Sequence, residues 1–285
     1  MQQLAIFGPA GNADSFATVS KSSLDAPAWI ASLGLGAYEY QCGNGVRISD
    51  KTAAQLGANA AASSVRLSVH SPYYISLTNP EKLEGNIGYV LASCKAAASM
   101  GAGRIVVHTG SATGRDRGEA VEDAWTALRE CLRAMDEAGY GQITLCPETM
   151  GKINQLGTAK EVAELVSRDE RLLPTVDFGH LYARTRGEFQ GYEAMAALFD
   201  LLENKIGAER TRALHAHFSH IEYSTGGEKR HTTFADPAWG PDFRPLARLL
   251  AERSYAPTII CESSGTQAED AAEMQRIYLE ELEKQ

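Results

Sequence analysis

Cysteine is scarce and unpaired in this sequence. Its five residues, Cys42, Cys94, Cys131, Cys146 and Cys261, are odd in number, and no two form a CxxC pair. That argues against a disulfide framework and a thiolate zinc knot, and suits reduced thiols. No apolar run approaches the roughly 20 residues that span a bilayer. The stretch "MQQLAIFGPAGN" has neither the basic start nor the long apolar segment of a secretory leader. A cytoplasmic protein with no membrane partner is therefore expected. Positive charge is in deficit as well: 27 Lys and Arg stand against 36 Asp and Glu, for a net charge of -9. That argues against a surface coated for non-specific nucleic-acid binding and leaves room for a local basic patch. Two glycine-rich stretches fall short of known loops. "FGPAGN" is not GxGxxG, and "TGSATGRD" lacks the lysine of a P-loop.

What is present is alternation. Short apolar segments read as strands at 4–9, 37–42, 66–72, 104–110, 143–149, 173–180, 214–220 and 258–264. They are rich in Val, Ile, Leu or aromatics, and most stop at Gly, Pro or Ser. Between them lie helical patterns at 23–34, 50–63, 86–101, 116–139, 158–169, 192–207, 241–254 and 268–284, several opened by Ser, Thr or Asp and closed by Gly. Eight strands alternating with eight helices require parallel pairing. That predicts an α/β fold, a (β/α)8 TIM barrel in which residues 1–285 form a single domain. An open doubly wound sheet is the alternative.

The strand ends carry the chemistry. His70 ends the third segment and His108 the fourth. Glu148 ends the fifth, Asp177 and His180 the sixth, and Glu262 the eighth. His215 and His217 lie on the seventh, which His220 closes, and His231 follows in the loop beyond. In a barrel these ends meet at one mouth. Carboxylates buried together repel and lose hydration unless cations neutralise them. Imidazole and carboxylate without thiolate are the ligands of Zn, Mn or Fe. Glu148, Asp177, His215 and Glu262 suffice for one ion, with His217 the alternative to His215 on the seventh segment. The remaining histidines raise the expectation to two or three, with Glu148 as the bridging carboxylate.

The stretches "SVHSPYYISL", "VVHTGS", "CPETMGK", "VDFGHLYA", "LHAHFS" and "ICESSG" together resemble the endonuclease IV family of zinc-dependent AP endonucleases, within the wider xylose-isomerase-like barrel superfamily. The resemblance covers nearly the whole chain. It implies a metal-dependent phosphodiesterase that cleaves damaged DNA 5′ to abasic sites by a metal-bound hydroxide. It also implies three zinc sites: His70, His108 and Glu148; Glu148, Asp177, His215 and Glu262; and His180 with His231. The family's third site includes Asp-x-His, whereas this chain reads "EKRH". Lys229 stands where the Asp would be, and Glu228 is the carboxylate within reach. Strand seven lacks the family's Asn-Asp pair, and the loop after strand two lacks the longer pattern that enters DNA. Tyr73 is expected to line the substrate pocket. Arg115, Arg117, Lys152, Arg184 and Arg186 are candidates for phosphate contacts. The competing reading is a single-metal sugar isomerase or epimerase, in which Glu148 and Glu262 move protons. A non-catalytic metal or sugar-phosphate binding barrel is a third.

Overall fold

The computed structural model describes residues 4–285. The first three residues of the stretch read for a leader lie outside the described residues. The barrel strands are β1 (Ile6–Pro9), β2 (Ala37–Gln41), β3 (Arg66–His70), β4 (Arg104–Val107), β5 (Thr144–Pro147), β6 (Thr175–Asp177) and β7 (His215–Phe218). A hairpin of β8 (Ile221–Ser224) and β9 (Gly227–His231) follows, and β10 (Thr258–Cys261) completes the wall. These eight wall strands are parallel and form two half-sheets, β1-β10-β7-β6 and β2-β3-β4-β5. Isolated bridges from Ala10 to Glu39, Leu145 to Leu172 and Glu148 to Thr175 join the half-sheets at both seams. The predicted (β/α)8 barrel is the observed one.

The first seam depends on a glycine. A Cβ on Gly8 would lie 1.8 Å from the carbonyl oxygen of Ala37, so β1 reaches β2 only because that atom is missing. The connecting helices follow their local signals. α1 (Ala26–Ser32) is short. The longer α2 (Asp50–Ala62), α3 (Leu83–Met100) and α4 (Arg117–Glu137) come next. Ser49 and Asp116 cap α2 and α4 through backbone N–H groups at their third helical residues, and Gly101 ends α3 in the left-handed conformation. Thr158 and Glu161 form a reciprocal capping box at α5 (Ala159–Ser167). α6 (Phe178–Arg184), α7 (Gly191–Ile206), α8 (Ala208–Arg212), α9 (Arg244–Arg253) and α10 (Gln267–Leu282) complete the chain. No helix among the described residues is long and apolar enough to cross a membrane.

Two features depart from expectation. The sixth strand stops at Asp177, not residue 180, because α6 begins at once. The long loop after strand seven is largely the β8–β9 hairpin.

Strand alternation divides the interior. Ile105, Val107, Leu145, Val176, Phe218 and Ile259 pack into the apolar layer between wall and helices. Val106 and Cys146, of opposite parity, form a separate small apolar group with Leu173 inside the barrel. Ile260 also faces inward, beside buried polar residues: Glu39, Ser68, Thr175, His215 and His217. The layer outside the wall therefore supplies the hydrophobic stabilisation, and the inside is free to carry chemistry. Gly8→Ala is expected to lower stability by about 3 kcal/mol or more, as overpacking against fixed backbone does. Denaturant unfolding measures this, and a loss below about 0.5 kcal/mol would show that the seam tolerates a methyl group.

Candidate metal centre

Glu148 sits at the middle of the mouth with no exposed surface. Its Oε2 is 3.4 Å from His70 Nε2 and 3.2 Å from His108 Nε2, and its Oε1 is 2.9 Å from His217 Nδ1. The donor atoms of His70, His108 and Glu148 lie within 4.8 Å of one another. So do those of Glu148, Asp177, His217 and Glu262, and those of His180, Glu228 and His231. Glu148 thus belongs to two of three adjoining groups. All of these residues except the fully buried Asp177 and His217 line a cavity of about 330 Å³.

The third group is assembled by two local devices. Because β6 stops at Asp177, the Asp177 Oδ1 accepts the His180 backbone N–H at 2.6 Å and caps α6. This turns His180 back towards the mouth. The hairpin supplies the rest. His180 Nε2 is 3.5 Å from Glu228 Oε2, and the His180 and His231 rings meet edge-on at 5.6 Å. Gly227, at φ +90°, presses the hairpin against the loop after β5, where a Cβ would lie 2.3 Å from the Gly151 carbonyl oxygen.

Three expectations are corrected. His215 does not join Glu148, Asp177 and Glu262; His217 takes that place. Two residues of strand, about 6.6 Å, put His215 deeper, where its Nε2 is 2.8 Å from Glu39 Oε2. Lys229 does not stand in the third group. The hairpin pairs Glu222 with Arg230 and Tyr223 with Glu228, which leaves Lys229 as the extra residue of a β-bulge. Lys229 and Arg230 both bond Glu222 on the outer side. The bulge absorbs one residue, so Glu228 and His231 reach the same group although they are three apart. Finally, three of the arginines are already engaged. Arg115 bonds the Thr78 carbonyl and Asp123, Arg117 bonds Glu161, and Arg184 bonds the carbonyls of Met150, Lys152, Ile153 and Gln155. Lys152 does line the mouth, and Tyr73 lines it too, 57% exposed.

Glu39, in the middle of β2, is the buried acid that the strand-end pattern does not single out. Its Oε2 accepts the Ser68 hydroxyl at 2.8 Å, and its Oε1 is 3.0 Å from His217 Nε2. The available signal was a lone Glu between two tyrosines in a short strand whose first three residues are buried.

Electrostatics test whether cations fit. Burial pushes Asp177 up to about 7, with Glu262 and Glu148 adding to the rise against the pull of His180. Burial also opposes ionisation of Glu148, but His217, His108 and His70 hold its carboxyl well below the usual range. Burial would lower the imidazoles; instead Glu148 raises His70 to about 9, and Asp177 and Glu228 raise His180 to about 10. Asp177 Oδ2 is buried without a hydrogen bond. A buried acceptor lacking a donor, in a set of imidazoles and carboxylates without thiolate, fits Zn²⁺, Mn²⁺ or Fe²⁺.

These raised imidazoles must shed protons to become ligands. Zinc added to metal-free protein at neutral pH should therefore release protons, and affinity should rise from about pH 6 to about pH 8. A dye titration in weak buffer checks this, and uptake without acidification would contradict it. Lys229→Asp should leave metal content unchanged, whereas Glu228→Ala should remove the ion of the third group. Elemental analysis decides; a gain of metal in Lys229→Asp would refute the bulge geometry.

The model of the xylose isomerase-like TIM barrel family matches residues 27–282. An uncharacterized protein of Methanocaldococcus jannaschii is 29% identical over 262 residues, covering 91% of this chain and 92% of that protein. A probable endonuclease 4 of Streptomyces avermitilis is 28% identical over 234 residues, covering 78% and 73%. Among solved structures, an endonuclease IV from Thermus thermophilus aligns with a TM-score of 0.66 at 22% identity, covering 93% and 96% of the two chains. An L-ribulose 3-epimerase aligns with a TM-score of 0.69 at 13% identity, covering 99% and 95%. Both structural likenesses speak for the barrel alone. With the family model spanning nearly the whole chain, this protein belongs to the xylose isomerase-like TIM barrel family.

Proposed function

We propose that this single-domain protein is a metal-dependent phosphodiesterase that cleaves DNA 5′ to abasic sites, in the cytoplasm, with two or three divalent ions, zinc foremost. The observation that carries the reading is the adjoining of three donor groups, two of which share the Glu148 carboxylate. A one-ion enzyme needs only four of those donors. The probable endonuclease 4 among the relatives supplies the substrate class. Five buried free thiols suit a reducing compartment.

Divalent ions held here would neutralise the non-bridging oxygens of a phosphodiester and lower the pKa of a bound water. The protein's own contribution is placement. Glu148 offers one oxygen to the His70 and His108 side and the other to the His217 side. Glu262 closes the second group at the mouth, and Glu228 with His180 and His231 forms the far wall. Lys152 brings a positive charge to the opening, where a DNA phosphate would approach. Tyr73 presents an exposed ring at the rim, suited to contact an abasic sugar displaced from the stack.

A sugar isomerase or epimerase remains the second reading. Glu148, Asp177, His217 and Glu262 by themselves make a four-donor set, and Glu148 and Glu262 would then shuttle protons on a small sugar. That reading gives no ion to His70, His108, His180, Glu228 or His231, which converge all the same.

The test is nicking of a duplex carrying one abasic analogue, at low salt, with and without chelator. Cleavage is expected only with metal and should weaken steeply as salt rises. Glu148→Gln should reduce it by roughly 10²–10³-fold or more while the protein stays folded. Near-normal cleavage by that variant, or ketose epimerisation with a single bound ion and no nicking, would overturn the phosphodiesterase reading.

A further inference from the structure

We propose that Glu39 is the positioning residue of the metal centre: it takes the Nε2 proton of His217 and so commits Nδ1 to the ions. The proposal rests on the metal reading above, specifically on His217 as a ligand.

His217 lies between two buried carboxylates. Its Nδ1 is 2.9 Å from Glu148 Oε1 at the mouth, and its Nε2 is 3.0 Å from Glu39 Oε1 beneath. A neutral imidazole carries one proton and one lone pair, and the partner on one nitrogen sets the role of the other. If the proton sat on Nδ1, Glu148 would claim it and the ring would be lost as a ligand. Glu39 removes that ambiguity by offering an acceptor on the side away from the mouth. His217 Nε2 is fully buried and has no aligned hydrogen bond in this structure. Glu39 is the carboxylate beside it, so a small ring adjustment completes the bond.

Glu39 is itself pinned. Ser68 donates to Oε2 at 2.8 Å, Gln41 donates to Oε1 at 3.2 Å, and His215 Nε2 lies 2.8 Å from Oε2. This gives His215 a purpose. It holds the carboxylate from below, which explains a second buried histidine on the same face of β7 that is absent from the three groups around the mouth. Glu39, His215 and His217 also place donor atoms within 4.8 Å of one another. In this proposal both imidazole contacts with Glu39 are hydrogen bonds, and an ion held by these three residues is the outcome that contradicts it.

Zinc affinity, measured by competition with a chromophoric chelator, and the His217 tautomer, read by nitrogen-15 NMR of the zinc-loaded protein, test the proposal. Wild type should show His217 with a slowly exchanging Nε2 proton. Glu39→Ala should weaken zinc binding about 10–100-fold and lose that proton's protection, and Glu39→Gln, which keeps an acceptor, should fall between. Affinity within about twofold of wild type in both folded variants would overturn it. So would a zinc-loaded wild type with no proton on Nε2, or an extra ion lost on His215→Ala. The wild-type tautomer needs no variant, so the test survives if Glu39→Ala does not fold. A wild type that takes up no zinc would overturn the metal reading and this proposal together; normal uptake with unchanged variants would overturn this proposal alone.

Discussion

The ionised carboxylate of Glu148, buried at the centre of the barrel mouth, is the constraint on which the rest of this structure turns. A carboxylate without exposed surface pays a desolvation penalty of several kcal/mol unless cations surround it. In this protein imidazoles surround it. His70 and His108 approach from β3 and the end of β4, and His217 from β7. The His70 and His217 imidazoles are raised in turn by the carboxylates they serve. A divalent ion held here would compete with protons for the same nitrogens.

That arrangement also bears on the barrel as a structure. The two half-sheets meet through isolated bridges, and at the first seam a single glycine permits the approach. The polar interior adds a second set of ties. Glu39, His70, His108 and Glu148 belong to the half-sheet of β2–β5 or its strand ends; Asp177, His215, His217 and Glu262 belong to the other. The short contacts of Glu148 with His217, and of Glu39 with His215 and His217, cross from one half to the other. The interior chemistry and the closure of the wall are thus the same interactions seen from two sides.

Much of this could be read from sequence because its signals are local or periodic. Strand segments bounded by Gly, Pro and Ser marked out the wall, and the His, Asp or Glu at or near the ends of the third to eighth segments marked the mouth. The failures have physical reasons. His215 and His217 share the parity of β7, so period-two alternation places both inside the barrel and is silent about depth; only the neighbours on β2 and β5 decide which meets Glu148. Glu39 lies mid-strand, where a rule about strand ends does not look. Lys229 falls on the Asp position when this chain is set against the family's Asp-x-His, and a β-bulge is invisible to that matching. The arginines flanking the strand ends looked free because their acceptors, mostly backbone carbonyls of distant loops, exist only after folding.

The bulge and the buried pair on β7 point to one rule for this centre. Each departure from a regular pattern adds a residue that contributes no donor to the mouth and fixes one that does. Lys229 widens the hairpin by one position and lets Glu228 face His180. His215 pins Glu39, and Glu39 lies against the far nitrogen of His217. At α6 the fixing residue is itself a donor: Asp177, of the second group, accepts the His180 backbone N–H. A site of many charged groups confined to a cavity of about 330 Å³ has little tolerance for misaligned side chains, since each misplaced carboxylate adds repulsion without ligation. The supporting residues are therefore as much a requirement of the chemistry as the donors. They sit one step behind them, on strands whose apolar outer faces supply the stability that the polar interior does not.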